Sequence, residues 1–270
     1  MEWVTLNGMH FAAETQVVLT GTSKFTETAP GGSSAKSGWV RVAPGVSYPA
    51  YGLLVDIRND FDYDALTDLS TVSGTTGVIA SNLVTSLSQY ANHTFHLPIY
   101  VPADTSIWAR TQQFQAGTQV GQVGITFLPK AWNDVPVYNR ITDYGAVLSA
   151  SRGTIIDPGA AANTFGAWET IATGTIYPVN ALLIEIGKNN NVTMTSGYYV
   201  FEIGIGAAGS EIPIFRGLFA ASSNDDHYYP MAMGPFPIHI PEGTRVAARG
   251  QSSVTDATDR LFTILLHGFD

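Results

Sequence analysis

The sequence predicts an all-β chain: two tandem antiparallel β-sandwiches of jelly-roll type, arising from an internal duplication and preceded by a short N-terminal arm. Three observations predict it. A pattern of residues recurs at long fixed offsets, apolar residues alternate with a period of two, and no segment carries a capped helical stripe. The composition agrees. Of 270 residues only 13% are charged and 45% are hydrophobic, while 27 glycines and 14 prolines supply turns for many short strands.

The repeat is clearest near its end. Leu97 to Gln113 (LPIYVPADTSIWARTQQ) is echoed in Pro235 to Ser253 (PFPIHIPEGTRVAARGQSS), with nine matched positions at an offset of 139. Upstream, Trp39, Tyr48, Pro49, Leu53, Leu54, Asp56 and Ile57 match Trp168, Tyr177, Pro178, Leu182, Leu183, Glu185 and Ile186 at an offset of 129. The second copy therefore holds ten extra residues between its central strand and its closing hairpin. Each copy is of domain length, far longer than a solenoid unit of roughly 20–50 residues.

The elements follow in order. Residues 1–15 form an arm holding Trp3, Leu6, Met9 and Phe11. The first repeat, 16–130, opens with a strand at Gln16–Leu19 and continues through Trp39–Val42. Gly52–Ile57 is short, apolar and rich in β-branched residues, which marks a central strand. Weaker strands are expected near Leu69–Val72 and Val78–Val84, with a helical turn or two open at Ser81–Ser88. The hairpin at Leu97–Gln113 and the strand Val120–Leu128 close the domain. Residues 131–144, with Trp132, Pro136 and Tyr138, form a packed linker. The second repeat, 145–270, starts at Ala146–Leu148, runs through the strong strand Tyr198–Ile205 and ends at Leu261–Gly268.

Several chemistries are excluded or weakened. A net charge of −9 with no basic cluster argues against nucleic acid as a partner. There is no cysteine, hence no disulfide and no thiolate metal site. No apolar run reaches the ~18–20 residues of a membrane span, so no membrane insertion is expected. The N-terminal MEWVTLNGMHF does not read as a signal peptide. Gly204–Gly209 spells G-x-G-x-x-G after a strand, but a dinucleotide turn needs a helix to follow, and Pro213 and Gly217 stand in its way. His93 and His96 face opposite sides of a strand, His227 follows Asp225 and Asp226 in a polar loop, and His239 and His267 stand singly on strands. No cofactor and no resident metal are expected. Asp60, Asp62 and Asp64 alternate in one loop and offer the oxygen ligands that calcium favours; the plainer reading is a solvated acidic loop, without counterpart in the second repeat.

Each repeat carries one acid on its central strand and one arginine on its closing hairpin. Asp56 is therefore expected to pair with Arg110, and Glu185 with Arg249, because charge on an apolar strand is costly unless paired. Trp39 and Trp168 recur and read as core. Trp108 has Ala247 as its counterpart, so the fold does not require it. With Trp3, Phe11, Trp132 and Tyr138 it makes the set of candidate interface residues.

The phrase Ile240–Ser253 (IPEGTRVAARGQSS), with Gly204–Glu211 (GIGAAGSE) before it, resembles a family of tailed-bacteriophage tail or minor structural proteins. The second repeat carries the likeness over most of its length. The first departs from it, with Ala103–Ser106 in place of Glu242–Arg245 and no glycine phrase. The resemblance implies a virion location and a structural role. The expected function is thus a non-enzymatic component of a phage particle (tail, neck or capsid surface) whose partners are itself and other virion proteins. The alternative is a carbohydrate-binding or receptor-binding β-sandwich module that engages a host-surface glycan through exposed aromatic side chains.

Overall fold

The computed structural model describes residues 3–6, 9–12, 19–29, 36–59, 65–85, 92–113, 117–132, 135–147, 153–188, 194–222, 227–229, 232–255 and 260–270. The arm forms a small hairpin of its own, β1 (Trp3–Leu6) against β2 (Met9–Ala12), with Trp3 opposite Ala12.

Among its described residues the first repeat has eight strands: β3 (Leu19–Ala29), β4 (Val40–Ala43), β5 (Leu53–Asn59), β6 (Ala65–Ser70), β7 (Val78–Thr85), β8 (Asn92–Leu97), β9 (Ile107–Gln113) and β10 (Gly117–Phe127). They form two antiparallel sheets, β3-β10-β5-β8 and β4-β9-β6-β7. That alternation between sheets along the chain is the jelly roll. Leu53, Val55 and Ile57 point inward from β5 and meet Phe95 and Leu97 of β8 and Val123, Ile125 and Phe127 of β10. Leu69, Leu83, Ile107 and Ala109 close the core from the other sheet. The segment left open to a helical turn at Ser81 is instead strand through Thr85, because Leu83 and Val84 alternate between two apolar surfaces. The pairing slips between Leu69↔Ala80 and Thr67↔Leu83, and Asn82 there takes a positive φ of 59°.

The second repeat follows the same path with β11 (Ile141–Tyr144), β12 (Thr154–Ile156), β13 (Glu169–Ala172), β14 (Val179–Lys188), β15 (Gly197–Ile205), β16 (Ile212–Ser222), β17 (His227–Tyr229), β18 (Ala232–Ile240), β19 (Val246–Ser252) and β20 (Phe262–Phe269). Its sheets are β11-β20-β14-β18, with β12 also on β20, and β13-β19-β15-β16-β17. Of the first strand expected at Ala146–Leu148, Ala146 and Val147 are not strand and Leu148 lies outside the described residues. Two short strands share the edge of β20 instead, β12 and β11, and β11 takes the end of the segment expected as the 131–144 linker. The glycine phrase runs from β15 straight into β16. Gly206 and Gly209 make the turn with φ of 114° and 81°, and no helix follows.

Strand β14 is buried along almost its whole length because both its faces are covered. Leu182, Ile184 and Ile186 face the core of the second repeat, while Ala181 and Leu183 join the core of the first. On β20, Phe262, Ile264 and Leu266 face inward. Leu265 meets Leu66 and Val84, and Phe269 joins the first core. Tyr138 lies 5.6 Å from Phe269, ring to ring, and bridges to Ile99. The outer face of one jelly roll thus packs on the outer face of the other.

Candidate functional site

A chain of polar groups threads the junction between the repeats. Asp68 of β6 is buried and binds the Lys36 ammonium, the Arg110 guanidinium (Nε to Oδ2 2.8 Å) and the Asn82 N–H (2.9 Å). The Asn82 side chain accepts from Lys36 (2.6 Å) and donates to Asp143 (2.6 Å), which also accepts from Ser81 (2.7 Å). Burial pulls Lys36 below the ordinary lysine value, against the attraction of Asp68. Deeper in, Glu185 and His267 are both fully buried, with Nε2 3.1 Å from Oε2, and Glu185 also accepts the Val84 N–H. Burial raises the Glu185 carboxyl above its usual range, partly offset by His267. Burial alone would lower His267, but the Glu185 carboxylate outweighs it and raises the imidazole. Both groups are enclosed, and Glu185, through the Val84 N–H, ties the second repeat to the first.

The expected ion pairs are corrected. Arg110 binds Asp68, not Asp56, and Arg249 binds Glu202 (Nε to Oε2 2.8 Å), not Glu185. The reason is the pleat. Asp56 points outward from one sheet, where Thr94 donates to it, while Arg110 points outward from the opposite sheet. The whole core lies between them. Arg249 meets Glu202 directly across β19 and β15, as Arg110 meets Asp68 across β9 and β6. Each arginine also lies over the recurring tryptophan: Arg110 is 4.6 Å from the Trp39 ring centroid and Arg249 is 4.5 Å from that of Trp168. The duplication thus preserves a Trp–Arg–acid stack on the outer face of each sheet, cation on ring and ring on strand.

The other sequence candidates lie apart. Asp60, Asp62 and Asp64 lie outside the described residues. Trp3 and Phe11 lie on the hairpin, and Trp132 in a 3-10 turn (Lys130–Trp132); their side chains are outside the description. Trp108 is half-buried on β9 opposite Ser70 and Arg41. Tyr138 packs between the two repeats. His96 is lowered by burial, and His239 Nδ1 lies 3.1 Å from the Asn180 side-chain oxygen. Among the described residues no three His, Asp or Glu side chains gather to hold a metal ion. The residues that carry the phage resemblance hold the fold together. Arg245 donates to Glu211 (2.8 Å), to the Gly206 carbonyl (3.2 Å) and to Thr170 Oγ1 (2.8 Å), locking the hairpin turn against the glycine turn.

Among the described residues, two surfaces expose a tyrosine beside a further large side chain. At one end of the first repeat three loops converge through the Ala50–Val101 bridge and the Tyr51 N–H to Leu128 carbonyl bond. There Tyr100, 48% exposed, stands edge-on to Tyr51 at 5.4 Å, and the exposed Lys130 ammonium lies 5.9 Å from the Tyr51 ring centroid. The counterparts of Tyr51 and Tyr100 in the second repeat, Asn180 and His239, are polar. The second surface is the outer face of β15 and β16, where Tyr198 is 66% and Leu218 56% exposed. Neither Tyr51 nor Tyr100 stands out in the sequence on its own. The signal was present in the repeat alignment, where two tyrosines face an asparagine and a histidine.

No known protein family matches the chain, and none of the curated proteins is similar to it. Solved structures are. PNGF-II aligns over 92% of this chain, which spans 65% of that protein's length, at 8% identity and a TM-score of 0.37. PNGase F, a glycosylasparaginase from Flavobacterium meningosepticum, aligns over 93% of this chain and 96% of its own at 11% identity and 0.33. The tandem CBM22-1–CBM22-2 domain of Paenibacillus barcinonensis Xyn10C aligns over 96% and 99% at 6% identity and 0.26. The expectation that this chain is not an enzyme is corrected by this finding: the likenesses include a glycosylasparaginase and an asparagine amidase, and the exclusion of catalysis is withdrawn.

Proposed function

We propose that this chain is a carbohydrate-recognising tandem β-sandwich protein, with Tyr51, Tyr100 and Lys130 as its sugar platform. The observation that carries the reading is the half-exposed Tyr100 held edge-on against Tyr51 at positions where the duplicated domain has His239 and Asn180 in place of the two tyrosines. The fold therefore does not require the pair. A pyranose ring presents an apolar C–H face that stacks on an aromatic ring, while its hydroxyls need donors and acceptors nearby. The tyrosine hydroxyls and the Lys130 ammonium supply these. Retention on immobilised polysaccharides tests the reading. The unsubstituted chain is expected to be retained on a subset of glycans, and Tyr100→Ala to lose that retention while Tyr198→Ala keeps it. Equal retention of both variants would contradict it.

A second reading has its own support. The phrase Ile240–Ser253 resembles tailed-phage structural proteins, and its Arg245 lies in a fold-locking network. On this reading the chain is a component of a virus particle, and glycan recognition is its contact with the host surface. Immunogold labelling of intact particles would test it; label absent from purified particles would contradict it.

A further inference from the structure

The two repeats are covered unequally. In the first, the outer face of β6 and β7 presents Leu66 and Val84, which Leu265 of the second repeat covers, all three being less than 5% exposed. In the second, the same positions on β15 and β16 are Val200 and Leu218. Leu66 lies opposite Val84 and Val200 opposite Leu218, and the two pairs stand at one common offset of 134. Gln112 and Gln251 flank both pairs from the neighbouring strand. Yet Leu218 is 56% exposed, and Tyr198 beside it 66%. A face that is an internal junction in one repeat is, among the described residues, exposed in the other.

The cover in the first case is the outer face of the opposite sheet of a jelly roll, built from Leu183 and Glu185 of β14 and Leu265 of β20. In a second copy that face is already occupied by its own first repeat. The equivalent face of the first repeat carries Leu54 and Asp56, which stand in for Leu183 and Glu185 and point outward, with Asp56 exposed and Gly124 in the place of Leu265. We propose that the Tyr198–Val200–Leu218 face docks the Leu54–Asp56 face of a second copy of this chain, repeating between molecules the junction made within each. Asp56 then meets the backbone of Leu218 as Glu185 meets that of Val84. The contact joins two different surfaces, so it is heterologous and propagates into a ring or an open array. It is independent of the glycan reading, which concerns other residues of the first repeat.

The absence of cysteine makes the test direct. Leu54→Cys and Leu218→Cys chains, one of them tagged, are made separately, and their thermal midpoints are compared with the parent's to confirm folding. On mild oxidation the mixture is expected to yield a disulfide-linked species containing one chain of each kind. Each variant alone should give far less. In parallel, light scattering should show the parent above monomer mass and Leu218→Asp at monomer mass. Linkage of Leu218→Cys to itself as readily as to its partner would overturn the head-to-tail contact in favour of a face-to-face dimer. A parent chain that stays monomeric and forms no cross-link would overturn the docking altogether.

Discussion

Glu185 of the second repeat accepts the backbone N–H of Val84 of the first at 2.8 Å, and His267 lies 3.1 Å from the same carboxylate. One buried carboxylate thus satisfies a strand of the neighbouring domain. It does so inside an apolar junction of Leu66, Val84, Leu183, Leu265 and Phe269.

Removing the carboxylate would leave an unpaired N–H and a buried histidine without its anion. Glu185→Ala is expected to destabilise the chain by about 3–5 kcal/mol, measured by urea unfolding. A loss of ~1 kcal/mol or less, the scale of an exposed pair, would show that the junction does not depend on this group.

The same pair sets a pH dependence. Glu185 and His267 both bind their protons more tightly folded than unfolded. Their contribution is therefore complete at low pH. It declines as pH rises above 4.5, the ordinary glutamate value, and again above 6.5, that of histidine. Glu202 has the opposite sign. Burial would raise it, but the Arg216 and Arg249 hydrogen bonds lower it, so its contribution is lost as pH falls below 4.5. The thermal midpoint is expected to fall on the alkaline side in the parent and to vary less there in Glu185→Gln. An unchanged profile in that variant would remove the pair as the cause.

Arg249 and Arg216 bind the same Glu202 with unequal consequence. Arg249 is 28% exposed and stacked on Trp168, whereas Arg216 is 66% exposed. Arg249→Ala is expected to cost about 2–3 kcal/mol, and Arg216→Ala at most ~1 kcal/mol. Equal losses in chemical denaturation would show that the tryptophan stack adds nothing.

The duplication and the sandwich class were legible because alternation and recurrence are properties of the chain itself. Trp39 and Trp168 do occupy equivalent places, but half-buried on the outer face of each sheet under an arginine, not in the core as the sequence suggests. The acid partners were not legible, for two reasons. Asp56 and Arg110 both alternate outward, but from different sheets, and sequence spacing does not say which sheet a strand joins. The ten inserted residues also enter in two steps. β6 and β7 align with β15 and β16 at 134, between the offsets of 129 and 139, so Asp68 and Glu202 matched at neither. The bare face around Leu218 was hidden for the same reason. Only the packed junction shows which of two equivalent apolar surfaces is covered.

Glycan recognition at the tyrosine platform is tested most directly by following backbone amide signals in solution as a retained polysaccharide fragment is added. The largest shifts are expected at Tyr51, Tyr100 and Lys130, with the β15–β16 face and the Glu185–His267 junction unmoved. Shifts centred on Tyr198 and Leu218, or none at saturating ligand, would contradict the assignment.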